Sequence, residues 1–245
     1  MRKLKKGESM RLDKYLTYAL SLSRNDSRKL IKSKRITVND KEVSKNDLYL
    51  NDGDYVKLDG EIIVYKEFIY LMMNKPSGYV CANTDNVHKT VFELIEGFEK
   101  YNLFTVGRLD IDTTGLLLIT NNGYFAHKLT SPKYECEKKY YVETDIDFEE
   151  EDIDKMLSGL TLYEEKDKPF VSKPAKLEII DSNKGYITIT EGKYHQVKKL
   201  CKACGKTVIT LKRVSMGKLL LDEKLNLGEY RELTEEELDI LNASF

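Results

Sequence analysis

Residues 107–123 read Gly-Arg-Leu-Asp-Ile-Asp-Thr-Thr-Gly-Leu-Leu-Leu-Ile-Thr-Asn-Asn-Gly, and they constrain the fold more than any other stretch. The apolar run Leu116 to Ile119 is short and ends at an Asn-Asn-Gly turn, which predicts a buried strand. A loop carrying Arg108, Asp110 and Asp112 leads into it. An acid beside an arginine on such a loop is a rigid mount for a reactive carboxylate, because a guanidinium keeps its neighbour ionised. The same pair is also an ordinary way to close a loop. Spacing alone separates neither these two readings nor Asp110 from Asp112.

The rest of the chain supplies the frame for that loop. Phe68 to Met73 is a continuous apolar run, expected of a strand buried on both faces, and Asn74-Lys75-Pro76-Ser77-Gly78 breaks it. Further strands are predicted at Leu103–Val106, Leu116–Thr120, Lys138–Thr144, Ala175–Ile180, Tyr186–Thr190 and Val208–Arg213. A short helix is predicted over Val91–Phe98, and another begins at Tyr124. Ile153, Met156, Leu157 and Leu160 share one helical face. Lys193 to Cys204 reads as a loop entering a basic helix closed by Gly205. Thr234 and Glu237 form a capping box for a last helix over 234–242. Strands outnumber helices and no βαβ repeat appears. The class is therefore α+β, with a large, mixed, mostly antiparallel sheet.

Net charge is −1, a balance that hides an uneven distribution. Residues 1–57 hold 15 Lys and Arg against 8 Asp and Glu, and the remainder is acidic. Leu12, Tyr15, Leu16, Ala19 and Leu20 follow helical spacing. Ser23, with Asp26 three residues on, starts a second helix that carries Arg24, Arg28, Lys29, Lys32 and Lys34. Short strands follow to residue 58, and 59–67 reads as a linker into a main domain over 68–245. A basic front unit on an acidic body suits a polyanion.

Several classes of function are disfavoured. No stretch approaches the about 20 apolar residues that span a bilayer, and the basic N-terminus is not followed by a signal core. No membrane association and a cytoplasmic setting are therefore expected. The four cysteines (Cys81, Cys136, Cys201 and Cys204) show no disulfide-framework spacing. Cys201-Lys202-Ala203-Cys204 lacks the second pair that structural zinc needs, and the three histidines are scattered. Gly107 to Gly115 matches no phosphate-binding loop. No metal and no cofactor are expected, so the chemistry falls to side chains. Nothing in the chain demands an oligomer, and a monomer is expected.

Two resemblances sharpen this reading. Residues 10–58 resemble the S4 RNA-binding domain, through Arg11-Leu12-Asp13-Lys14-Tyr15-Leu16, Ser27-Arg28-Lys29-Leu30-Ile31, Ile36-Thr37-Val38-Asn39 and Asp52-Gly53-Asp54. Gly107-Arg108-Leu109-Asp110 with Thr113-Thr114-Gly115-Leu116-Leu117-Leu118 resembles the signature of RNA pseudouridine synthases, in the RsuA-type branch named for the small-subunit ribosomal enzyme. Asn74-Lys75-Pro76-Ser77-Gly78, Glu137-Lys138-Lys139-Tyr140, Glu191-Gly192-Lys193-Tyr194-His195-Gln196-Val197-Lys198-Lys199 and Gly228-Glu229-Tyr230-Arg231 resemble that family's other segments.

The resemblance implies a cofactor-free isomerisation of uridine to pseudouridine in ribosomal RNA, first of all small-subunit RNA, either free or within a partly assembled particle. The alternatives are a large-subunit uridine, or a non-catalytic RNA-binding assembly factor. By motif match Asp110 is the essential carboxylate, acting at ribose C1′, at uracil C6, or as a base. Arg108 supports it electrostatically or displaces the target nucleotide. Tyr140 lies against the base, Lys198 pairs with Asp110, and Leu117 or Leu118 walls the pocket. RNA contacts are expected from Arg11, Arg24, Arg28, Lys29, Lys32 and Lys34 in front, and from Lys75, Lys193, His195 and Gln196 behind. Lys193 and Lys198 stand where many relatives carry arginine, so charge is kept and the bidentate fork is lost.

Overall fold

The computed structural model describes residues 9–163 and 169–243. The chain divides into two compact units, one ending at Glu67 and the other beginning at Phe68. In the first, β1 (Met10–Arg11), α1 (Leu12–Leu20) and α2 (Arg24–Lys32) precede β2 (Ile36–Val38), β3 (Lys41–Glu42), β4 (Tyr49–Leu50), β5 (Val56–Leu58) and β6 (Glu61–Ile63). Ser23 Oγ accepts from the Asp26 amide and starts α2, as its spacing predicts. Leu12, Leu16 and Ile31 from the helices meet Ile36, Val38 and Val56 from the strands in one apolar core.

The stretch 59–67 is not only a linker. Asp59 and Gly60 both take positive φ, 50° and 89°, the geometry of a two-residue hairpin turn. Glu61–Ile63 then folds back antiparallel on Val56–Leu58 and closes the four-stranded sheet β3-β2-β5-β6.

Three of the expected RNA-binding arginines converge on one acid. Asp13 is fully buried, with Arg11 Nη2 at 2.8 Å, Arg28 Nε at 3.2 Å and Arg24 Nε at 3.6 Å from its carboxylate. The acid fans these guanidiniums while leaving them partly exposed. Lys29 pairs with Asp26 and Lys34 with Glu42, whereas Lys32 is exposed and forms no ion pair among the described residues. Burial acts to raise the Asp13 carboxyl, but the hydrogen bonds from Arg11 and Arg28 outweigh it and hold it below the ordinary range. A carboxylate held low in the folded state adds stability that is complete above about pH 4 and is lost as pH falls through the folded value. Asp13→Asn is expected to cost about 1–3 kcal/mol at neutral pH. It should also remove this acid-dependent part, read from urea midpoints of the full chain across acidic pH.

The second unit contains β7 (Tyr70–Lys75), β8 (Phe104–Thr105), β9 (Thr114–Thr120), α3 (Gly123–Thr130), β10 (Lys138–Thr144), α4 (Glu150–Ser158), β11 (Thr161–Leu162) and β12 (Phe170–Val171). It continues with β13 (Lys176–Asp181), β14 (Lys184–Ile189), α5 (Gln196–Ala203), β15 (Val208–Met216), β16 (Leu219–Leu220), β17 (Tyr230–Glu232) and α6 (Glu235–Asn242). The main sheet runs β13-β14-β10-β15-β9-β7-β17, with β16 added to β15 and β8 to β9. The β15–β9 pairing is parallel and its other pairings are antiparallel, which gives the mixed, mostly antiparallel sheet expected.

Apolar clusters cover both faces at the centre of this sheet. Leu71, Met73, Leu117 and Ile119 point into one cluster, and Met72, Leu116 and Leu118 into the other. The continuous apolar runs of β7 and β9 follow from this double burial. The predicted helix over Val91–Phe98 shrinks to a 3-10 turn, Val91–Leu94, started by a Thr90–Glu93 capping box. Met156 of α4 is buried whereas Leu157 is exposed, so only part of the predicted apolar face packs. Among the described residues no helix is long and apolar enough to cross a membrane.

Candidate active site

The Asp110 loop is tied down from below. Lys75, at the end of β7, is fully buried. Its Nζ donates to the carbonyls of Thr113 (2.9 Å), Pro76 (3.0 Å), Asp110 (3.1 Å) and Ile111 (3.3 Å). The Gly78 amide donates to Ile111 O at 2.8 Å, the Thr113 amide to Asp110 O at 3.1 Å, and the Leu109 amide to Cys81 Sγ at 3.3 Å. Lys75 was expected to contact RNA. It has no exposed surface and instead gathers the carbonyls that shape the loop, a role any ammonium can fill where backbone oxygens converge.

Gly115 is required where the loop becomes β9. Its φ is +99°, and a Cβ there would lie 2.2 Å from Arg213 O. The Thr-x-Gly pattern thus lets β9 run parallel against β15 with Gly115 opposite Arg213. Arg213 is itself buried, and its Nε donates to Leu116 O at 2.7 Å.

The other wall is the loop before α5. Glu191 is buried, and its Oε1 accepts from the Lys173 amide (2.8 Å) and from Gln196 Nε2 (2.5 Å). Gln196 Oε1 accepts from the Lys193 amide at 3.0 Å. Gln196 therefore brackets the loop with both ends of a buried amide. His195 starts α5 in the left-handed region, with φ 52°.

The loop before β9 and the start of α5 bring Asp110 together with Lys198, as expected, and with His195, which was expected to contact RNA rather than the acid. Lys198 Nζ lies 3.3 Å from Asp110 Oδ2, and His195 Nε2 lies 3.5 Å from Asp110 Oδ1. Lys198 is nearer still to Asp112, at 2.6 Å. Burial acts to raise the Asp112 carboxyl, but its hydrogen bond and ion pair with Lys198 hold it below the ordinary value. One lysine thus serves two aspartates. Arg108 is exposed, makes no ion pair among the described residues, and lines the same pocket as Asp110.

A solvent-open pocket lies over Asp110. Arg108, Thr113, Lys193 and His195 give it a polar rim, and Leu109, Tyr140, Ile189, Val197 and Leu211 give it apolar walls. Tyr140 is buried on β10, and its hydroxyl has no hydrogen-bond partner among the described residues. Lys193 Nζ stands 3.5 Å from the Phe170 ring centroid. Leu117 and Leu118 do not wall the pocket: they are fully enclosed on opposite faces of β9. Ile189, Val197 and Leu211 take that place. Strand alternation marks Ile189 and Leu211 as inward-facing, but only the β14-β10-β15 order shows that they flank Tyr140.

A buried aromatic wall, a clamped carboxylate and basic side chains thus meet at one pocket. Residues 69–203 match the model of the RNA pseudouridylate synthase family, and residues 10–54 match that of the S4 domain. The chain belongs to the RNA pseudouridine synthase family, and its substrate is RNA. It is 43% identical over 239 residues to an uncharacterized RNA pseudouridine synthase of Bacillus subtilis, covering 95% of this chain and 98% of that one. It is 39% identical to the ribosomal small subunit pseudouridine synthase A of Yersinia pestis, covering 96% and 99%. A crystal structure of a pseudouridylate synthase superposes with a TM-score of 0.66 at 37% identity, covering 95% of this chain and 99% of that one.

Proposed function

We propose that this protein converts one uridine of small-subunit ribosomal RNA to pseudouridine in the cytoplasm, with Asp110 as the working carboxylate. The observation that carries the reading is the position of Asp110, held by its backbone on Lys75 and flanked by Lys198 and His195 at the pocket over Tyr140. The reaction breaks the bond from ribose C1′ to uracil N1 and forms one from C1′ to C5, while the C5 hydrogen is lost and N1 gains one. It is redox-neutral, and an ionised carboxylate plus a surface to hold the detached ring is the equipment it asks of a protein. Tyr140 supplies that surface, and the apolar walls let the ring turn without fixed hydrogen bonds.

The base must leave its stack to arrive, which costs about a few kcal/mol. Phosphate contacts offset that cost, and the arginines fanned around Asp13 in the S4-like unit supply some of them. The small-subunit target follows from relatives that carry this name and match nearly end to end. Pseudouridine mapping of both ribosomal RNAs, with and without the gene, tests it. One small-subunit pseudouridine should vanish. Loss of a large-subunit site instead would move the target, and loss of none would leave an assembly factor.

A further inference from the structure

We propose that Tyr194 is a stacking platform for the nucleobase adjacent to the target uridine, so that it sets substrate choice rather than chemistry. The inference rests on the reading of Asp110 as the working carboxylate. Tyr194 lies between two residues that line the pocket, Lys193 and His195, yet its own side chain is 68% exposed. A large aromatic left in solvent on a loop otherwise pinned by Glu191 and Gln196 gains nothing for folding. Its ring also has a partner. It stacks on the His195 imidazole with centroids 3.7 Å apart and planes 21° from parallel. That imidazole in turn reaches Asp110 at 3.5 Å. Asp110, His195 and Tyr194 thus form a column leading out of the pocket, and its last member is largely exposed to solvent.

A nucleobase laid on that ring would stand about one stacking distance beyond Tyr194, roughly 7 Å from the imidazole. The flipped uridine occupies the pocket, and its neighbour loses a stacking partner when it flips. Tyr194 replaces that partner. Lys199 Nζ lies over the Tyr194 ring, 5.2 Å from its centroid, which brings positive charge beside the platform where the phosphate of a stacked nucleotide would pass. Stacking on an aromatic ring is tolerant of base identity, so the platform favours an unpaired neighbour over a paired one.

The test uses the full-length protein and a synthetic stem-loop carrying the uridine that the mapping identifies. Tyr194→Ala is expected to raise KM about tenfold with kcat changed by less than about threefold, and Tyr194→Phe to stay within about twofold of wild type. An abasic nucleotide beside the target should cost wild type about tenfold on one side, and cost Tyr194→Ala nothing further. Equal abasic losses in both proteins would overturn the proposal, as would wild-type behaviour of Tyr194→Ala. A ring that only braces His195 would lower kcat and show no coupling to the abasic site, and that result also overturns it. Product formation by Asp110→Asn in the same assay would remove the column's anchor, and would overturn both this inference and the reading it rests on.

Discussion

Asp110→Asn is expected to lower pseudouridine formation by about 10³-fold or more while leaving RNA affinity within about twofold. The substitution keeps shape and removes charge. An amide neither attacks carbon nor accepts a proton at neutral pH, so every role open to Asp110 is lost together. The fold has little reason to change. Asp110 is held through its backbone carbonyl, which Lys75 Nζ and the Thr113 amide both contact. Lys198 keeps its shorter contact to Asp112 at 2.6 Å, so α5 stays in place. Single-turnover assays with a binding measurement on the same RNA separate the two effects. Asp112→Asn is the internal control. It removes the closer partner of Lys198 but no group that lines the pocket, and it is expected to cost far less than Asp110→Asn. The reverse order would make Asp112 the reactive acid, an alternative that loop spacing alone leaves open.

What the sequence made legible was what local pattern controls. The apolar runs of β7 and β9 read as buried strands because both faces of the sheet are covered there, so no alternation survives to confuse them. Ser23 starts α2 because capping needs only residues three apart. The strand Glu61–Ile63, in a stretch that reads as a linker, is marked in the sequence by Asp59-Gly60 between two short apolar stretches, which is a hairpin signal. The fates of Lys75 and Gln196 were not legible. A lysine before a proline and a glutamine among basic residues read as exposed by composition. What buries them is the convergence of backbone oxygens, or of one acid, from segments up to 38 residues away. The pocket walls were hidden for a related reason, since Leu211 becomes a neighbour of Tyr140 only through strand order.

Lys75→Met carries the second large effect, and its sign separates a clamp from an RNA contact. Methionine matches the length of the lysine stem and fits its fully buried channel, but it donates no hydrogen bond. The carbonyls of Asp110, Ile111 and Thr113 would then point at one another across a dry space. Each unsatisfied group costs about 1–3 kcal/mol. Part of that is returned, because wild type pays to bury the ammonium. Burial pushes Lys75 below the ordinary lysine value, against the opposing pull of Cys81, Asp112 and Asp110. A net loss of about 2–4 kcal/mol is expected, lowering the Tm of the catalytic unit by about 5–10 °C. The loop relaxes where Asp110 is mounted, and a displacement of about 1 Å at the reacting group costs about 10²-fold in kcat. KM for RNA should hold within about twofold, since Lys75 presents no surface to a ligand. A variant with normal kcat, normal Tm and a raised KM would show that Lys75 meets RNA after all, and that the four carbonyls do not depend on it.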